Sequence, residues 1–225
     1  MPRRDGERES IERGARELGV ELGSEQVAAL LAYLDTLDLW RTRMNLVSAR
    51  DRREIIDRHL LDSLAVAPVL VPWLTGNIGP NPRVVDIGSG AGLPGIPLAI
   101  ALPEARFVLL EPRAKRVSFL QSAVRSCFTW NIEIVCSDVS ALARSDSARF
   151  HAAVSRATFP PEELPSQALA LLSPGGHLFA LTAETFRPET PEDGYSDPPS
   201  LHTYRRPGDG RSSQIVHWRR ASEKT

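Results

Sequence analysis

The chain has 225 residues, 42% of them hydrophobic, with 27 Lys and Arg against 28 Asp and Glu for a formal net charge of −1. That length accommodates one domain with an extension or two small domains, the apolar content suffices for a sizeable core, and the near-neutral charge excludes a protein that coats nucleic acid through bulk charge alone. Cys127 and Cys136 lack metal-site spacing and imply no disulfide framework; with neither an apolar signal-peptide core nor a run of about 18 apolar residues, the chain is expected in the cytoplasm, free of membrane and metal.

Residues 1–8 are charged and expected to be disordered. Ile11, Ala15 and Leu18 then mark a short amphipathic helix over 9–18. Ser24 is placed to cap a second helix, in which Val27, Leu30, Leu31, Leu34 and Leu37 recur at helical spacing up to Trp40. Residues 41–50 form a basic connector. Asp51 and Glu54 resemble a capping box that opens a helix to about residue 67, with Ile56, Leu60 and Leu64 on its apolar side and Pro68 and Pro72 ending it. Arg58, His59, Asp62 and Ser63 share a polar strip on that helix, and its plainest reading is a solvated face with an Arg58–Asp62 ion pair. A loop over 75–82 follows. Residues 1–75 therefore read as a helical extension and 76–225 as the main domain.

From residue 83 strands and helices alternate. Strands are expected at 83–87, 106–110, 132–135, 152–154 and 177–181, and helices at 93–100, 115–126 and 162–172, the last stopped by Ser173-Pro174-Gly175-Gly176. Pro94 and Pro97 fit the first turn of their helix, where amide protons have no partner anyway. Residues 183–200 read as a mobile loop, and 201–205 with 214–218 as a closing hairpin around Pro207-Gly208-Asp209-Gly210. The alternation predicts an α/β fold with a doubly wound, mostly parallel sheet, in which ligands sit beyond the carboxyl ends of the strands. Asp86, Glu111, Asp138 and Arg156 all fall at such ends.

The first strand runs into Asp86-Ile87-Gly88-Ser89-Gly90-Ala91-Gly92-Leu93. Glycines let a ligand approach the backbone, and the following helix aims free N–H groups at the same spot. A dinucleotide fingerprint is Gly-x-Gly-x-x-Gly; here the spacing is Gly-x-Gly-x-Gly behind an acid. That form resembles motif I of class I methyltransferases, which bind S-adenosylmethionine (SAM). An acid at Asp86 suits the ammonium of such a ligand and repels phosphates, which places a nicotinamide dehydrogenase last among the alternatives. Glu111, some 20 residues on, stands where a ribose-binding acid is expected. Asp138, Val139 and Ser140 are candidates for the adenine, and Arg156 for a carboxylate or an RNA phosphate. No general base stands out. The histidines are scattered, with His59 alone in a polar cluster, and packing explains both cysteines.

Several stretches resemble one family: Met44 to Asp51, Arg58-His59-Leu60-Leu61-Asp62-Ser63, Asp86 to Ala99, Leu109-Leu110-Glu111 with Lys115-Arg116-Val117, and Ser155-Arg156-Ala157. It is the bacterial small-subunit rRNA guanine-N7 methyltransferases, also called glucose-inhibited division protein B, and the resemblance covers roughly residues 24–181. It implies a Rossmann-like class I fold, SAM as cofactor and methyl transfer to a guanine N7 in 16S rRNA or the small ribosomal subunit, by a monomer. It implies SAM contacts at Gly88, Leu93, Val139, Ser140 and Arg156, beside Asp86, Gly90, Gly92, Glu111 and Asp138 of the cradle. It also turns Arg58, His59, Asp62 and Ser63 into a substrate-side strip. The chain departs from the family at Asp138-Val139-Ser140, where a basic residue, a small one and Glu are usual, and at Thr182-Ala183, where Lys-Gly is usual. The alternatives are a methyltransferase with another substrate and a catalytically impaired RNA-binding paralogue. Guanine N7 has no proton to lose, so a rate nearly independent of pH between about 6.5 and 9 is expected.

Overall fold

A computed structural model describes residues 2–75, 80–145, 149–156, 158–182, 186–188 and 193–222. Among these, seven strands form one sheet in the order β3-β2-β1-β4-β5-β7-β6. β1 (Arg83–Ile87), β2 (Arg106–Leu110), β3 (Ile132–Val135), β4 (Phe150–Arg156) and β5 (Leu172–Thr182) run parallel, and the hairpin of β6 (Ser200–Arg205) and β7 (Ser212–Arg219) adds antiparallel to β5. The order reverses at β1, between β2 and β4. The register sets Ile87 beside Leu110 and Asp86 beside Val154, so the ends of these strands form one rim at the switch point.

Successive residues of a strand face opposite sides. Val84 and Phe107 belong to one core with the N-terminal helices; Val85 and Val108 belong to another, with Leu142, Ala168 and Trp218. The first core is covered by α1 (Pro2–Glu17), α2 (Ser24–Arg41), α6 (Gly95–Ala101) and α7 (Ala114–Cys127), the second by α8 (Val139–Ala143) and α9 (Leu164–Leu169). α1 takes in residues expected to be disordered. Proline suits its first turn, Arg8–Glu12 and Arg13–Glu9 pair one turn apart, and Arg4 reaches Asp35 of α2 at 2.5 Å. The cap of α2 is Gly23, whose N–H donates to the Gln26 side chain at 2.7 Å, so Ser24 is already helical.

The predicted single helix after Asp51 is broken. Asp51 does cap it, accepting the Glu54 N–H at 2.9 Å, but the Glu54 carboxylate takes the Arg50 N–H instead of completing the box. There follow α3 (Arg52–Ile55), a π-helical turn (Ile56–Leu60), α4 (Leu61–Leu64) and, after a bend, α5 (Ala67–Leu74). Pro68 therefore opens a helix, where its missing N–H costs nothing, and Pro72 lies inside it. Arg52 is 7% exposed and pairs with Glu7 at 3.0 Å, Asp35 at 2.7 Å and Asp38 at 2.9 Å, tying α1, α2 and α3 together. Leaving these carboxylates without their cation is costly. Arg52→Ala is expected to lower the unfolding free energy by about 3 kcal/mol, measured by urea denaturation; a loss below about 1 kcal/mol would place the pairs among ordinary surface contacts.

Two other elements differ. α9 ends early because Leu172 pairs with Phe150 and starts β5, the register shifting before His177 meets Ala152. Three histidines expected to be scattered come together on β5, β6 and β7. His177 Nδ1 lies 2.9 Å from His217 Nε2, both rings stack against Trp73 or Phe179, and His202 stands beside them. Burial holds the His177 pKa at about 4 and the His217 pKa at about 3. The loops expected at 75–82 and 183–200 fall in part outside the described residues, as do Ala157 and Ala183.

Candidate active site

The turn after β1 winds through positive φ at Gly88 (+69°) and Gly90 (+56°), a conformation most side chains avoid. Its carbonyls and amides are fastened from several directions. The Ile87 carbonyl accepts from Ser155 Oγ, next to last in the adjoining strand β4, at 3.0 Å and from Thr158 Oγ1, two residues past that strand, at 2.9 Å. The Ala91 carbonyl accepts from the buried Tyr33 hydroxyl of α2 at 2.7 Å. Glu111, 2% exposed at the end of β2, accepts the Gly90 N–H at 3.0 Å with Oε2 and the Arg113 N–H at 3.0 Å with Oε1. A carboxylate has about four lone-pair sites, so capacity remains for ligand hydroxyls.

This turn floors a cleft of about 550 Å³ walled by Glu111, Arg116, Arg156, Thr158 and His59, with Leu46 to Ser48 on the connector side. Two residues before Gly88, behind the cleft lining, Asp86 of β1 is fully buried. Its Oδ2 accepts the Gly95 N–H at the start of α6 at 3.0 Å, while Oδ1 has no partner. Burial lifts its pKa to about 7, against the Gly95 bond and the adjacent Ser89 hydroxyl, which donates to the Asp86 backbone carbonyl at 3.0 Å and lies near enough to the carboxylate to lower it. An orphaned buried carboxylate oxygen beside a glycine turn is an unmet demand for a donor or a cation. These groups suit a ligand like SAM: Asp86 could face an ammonium, Arg156 a carboxylate and Glu111 the hydroxyls of a ribose.

The polar strip divides. His59 faces the cleft, its Nε2 3.3 Å from the Ser48 carbonyl; burial, then Arg156, lowers its pKa to about 4, so it is neutral at physiological pH. Asp62 does not pair with Arg58. It accepts from the Tyr204 hydroxyl of β6 and lies 3.8 Å from Arg156 Nη1. Arg58 pairs with Glu54 and faces a neighbouring basin of about 760 Å³, which adjoins the cleft across Val47 and Ser48 and also carries Arg50, Arg53 and Arg211. Ser63 is buried and donates to the His59 carbonyl at 2.6 Å, fastening the π turn.

Gly88, Gly90, Leu93, Glu111, Arg156 and His59 therefore meet at the cleft. Gly92 (φ +78°) packs against Ile96. Asp138, Val139 and Ser140 lie off the cleft wall: Asp138 caps α8 by accepting the Ala141 N–H at 2.8 Å, Val139 is core and Ser140 is exposed. Sequence reasoning missed Tyr33, Thr158, Arg116 and the connector wall. Thr158 sits two residues past the predicted Ser-Arg pair and could have been read from that position; Tyr33 hides in the apolar stripe of α2.

The sheet order, the glycine turn at the switch point and the acid ending β2 define a Rossmann-like methyltransferase of the SAM-dependent class. The model of the family described as rRNA small subunit methyltransferase G matches residues 26–195, and the chain belongs to that family. Proteins named ribosomal RNA small subunit methyltransferase G are 40% identical in Nitrosococcus oceani, over 76% of this chain and 75% of theirs, and 36% identical in Cellvibrio japonicus, over 77% of each. The 16S rRNA N2 G1207 methyltransferase of Thermus thermophilus, solved with AdoMet and guanosine, shares the fold (TM-score 0.52, 23% identity, 73% of this chain and 43% of that one). So does a methyltransferase from Geobacter sulfurreducens (TM-score 0.52, 14% identity, 85% and 89%).

Proposed function

We propose that this protein transfers the methyl group of SAM to N7 of a guanine in 16S rRNA, acting as a monomer in the cytoplasm on naked rRNA or the small subunit. The observation that carries the reading is the meeting of the glycine turn, Glu111 and Arg156 at one cleft, with a buried Asp86 oxygen left without a hydrogen bond just before the turn. The names of the relatives support the rRNA substrate. The adjoining basin presents Arg50, Arg53 and Arg211, largely exposed and loosely paired with Glu54, Asp57 and Asp209, and exchange of those partners for RNA phosphates would suit the reading.

The cofactor supplies a sulfonium-activated methyl, and the protein's part is positioning and exclusion of water. Oriented reactants can save about 7–11 kcal/mol of barrier. N7 offers an in-plane lone pair with no proton to remove, which agrees with a cleft whose histidine is held neutral and whose glutamate is tied to two amides. As the guanine gains positive charge, Glu111 is the carboxylate that lines the cleft, while the buried Asp86 and the Tyr204-bound Asp62 could contribute only through the field of the site.

The test is mass mapping of rRNA from cells with and without the gene, together with purified protein, labelled SAM and small subunits. One 7-methylguanosine that depends on the protein is expected. Methyl on carbon or on an exocyclic amine defeats the N7 assignment; SAM binding with no transfer to rRNA identifies an impaired paralogue or another substrate.

A further inference from the structure

The β6–β7 hairpin lies past residue 195, the last matched by the family model, and it touches the π turn once and the following α4 once. At its tip, Gly208 comes so close to Asp57 that a Cβ there would stand 2.3 Å from the Asp57 Cβ. On β6, the half-buried Tyr204 donates its hydroxyl to Oδ1 of Asp62. Asp57 and Asp62 are five residues apart, a spacing that an α-helix turns about 140° around its axis. In the π turn the Leu61 N–H bonds the Ile56 carbonyl five residues back, which brings residues at that spacing toward one side. The irregular helix is thus what presents both carboxylates to the hairpin.

Asp62 faces a choice of partners. Its Oδ1 is committed to Tyr204, and its Oδ2 stands off from Arg156 Nη1 at 3.8 Å, a loose pair. Arg156 lines the cleft. A carboxylate released from the tyrosine could close on the guanidinium with both oxygens, the geometry arginine favours most, and would then compete with a ligand carboxylate. Burial, then the adjacent carboxylate, raise the Tyr204 pKa far above its ordinary value, so the hydroxyl keeps its proton throughout the working range.

The geometry points to Tyr204 as a positioning residue, whose hydrogen bond holds Asp62 back and leaves Arg156 free for the ligand. The identity of that ligand as SAM rests on the proposed function. Tyr204→Phe, Asp62→Ala and the double variant separate the possibilities, using calorimetric SAM titration, kinetics, and the Arg156 side-chain Nε–H resonance of the ligand-free protein. Tyr204→Phe is expected to weaken SAM binding about tenfold, as a rise in KM with kcat kept within about twofold, and to move the Arg156 resonance. In the Asp62→Ala background it should do neither, because the competitor is gone. The inference is overturned if Tyr204→Phe binds SAM like the parent, if the same loss recurs without Asp62, or if kcat and melting temperature fall together with no specific change in KM. Should the parent protein fail to bind SAM, the proposed function falls; the resonance still decides the relay, upheld by a shift that requires Asp62 and overturned by none.

Discussion

Gly88→Val is expected to abolish SAM binding, with Kd rising at least about 100-fold, or about 2.7 kcal/mol. Two effects add. Gly88 sits at φ +69°, where a β-branched residue is strongly disfavoured. A Cβ built there would also lie 2.1 Å from Thr158 Cγ2 and 2.6 Å from its Oγ1. Thr158 cannot yield freely, since its hydroxyl holds the Ile87 and Gly88 carbonyls at 2.9 and 3.2 Å. The valine must therefore either push Thr158 into the cleft and fill it, or unwind the turn and take the Gly90 amide from Glu111. Calorimetry with SAM checks the binding, and a single cooperative melt checks that the remainder folds. A valine variant that binds SAM like the parent would show that the ligand does not use this turn.

The glycine turn was legible because its signal is local: an apolar strand, an acid, three glycines and a proline-tolerant helix start follow within 17 residues, 84–100. The parallel sheet was legible from the alternation, and with it the rim bearing Glu111 and Arg156. What escaped was carried by distant contacts. Tyr33 belongs by spacing to an apolar stripe, and its partner Ala91 is 58 residues away. Asp62 reads as the partner of Arg58 one turn back; its actual partner is a tyrosine 142 residues later. The π turn leaves no mark in the apolar period, because Ile56, Leu60 and Leu64 stay buried either way. The histidine cluster was invisible because three separate strands supply one ring each. Asp138, read from the sequence as a candidate for the adenine, instead caps the short helix α8, which the strand-and-helix alternation did not predict.

The second large effect is a pH dependence of SAM affinity that the chemistry at N7 does not itself require. Across about pH 6.5–9 the transfer step stays flat at saturating SAM, because no proton leaves the nucleophile and His59, with its pKa near 4, does not titrate there. Asp86 does titrate. Burial raises its pKa from the ordinary 3.8 to about 7, with Arg156 opposing and Glu111 reinforcing the shift. For a carboxylic acid raised on folding, the native state keeps a proton that the unfolded chain has released. Stability from this group is therefore full below pH 3.8, falls as pH climbs to about 7 and then levels off. A shift of that size is worth on the order of 4 kcal/mol. A ligand ammonium beside the orphaned Oδ1 reverses the preference and expels the proton. The Kd for SAM should accordingly weaken nearly tenfold per pH unit below about pH 7, in a window beneath the range where the ligand's own α-amino group titrates, about 7.7–8.0. Titrations between about pH 5.5 and 7.5 in buffers of different ionisation enthalpy measure both the slope and the proton released. Asp86→Asn should flatten the slope, bind SAM weakly at every pH and melt higher than the parent at pH 8. A Kd constant over that window, or a kcat that climbs steeply between about pH 6.5 and 9, would remove Asp86 from the ammonium site or return a catalytic base to the mechanism.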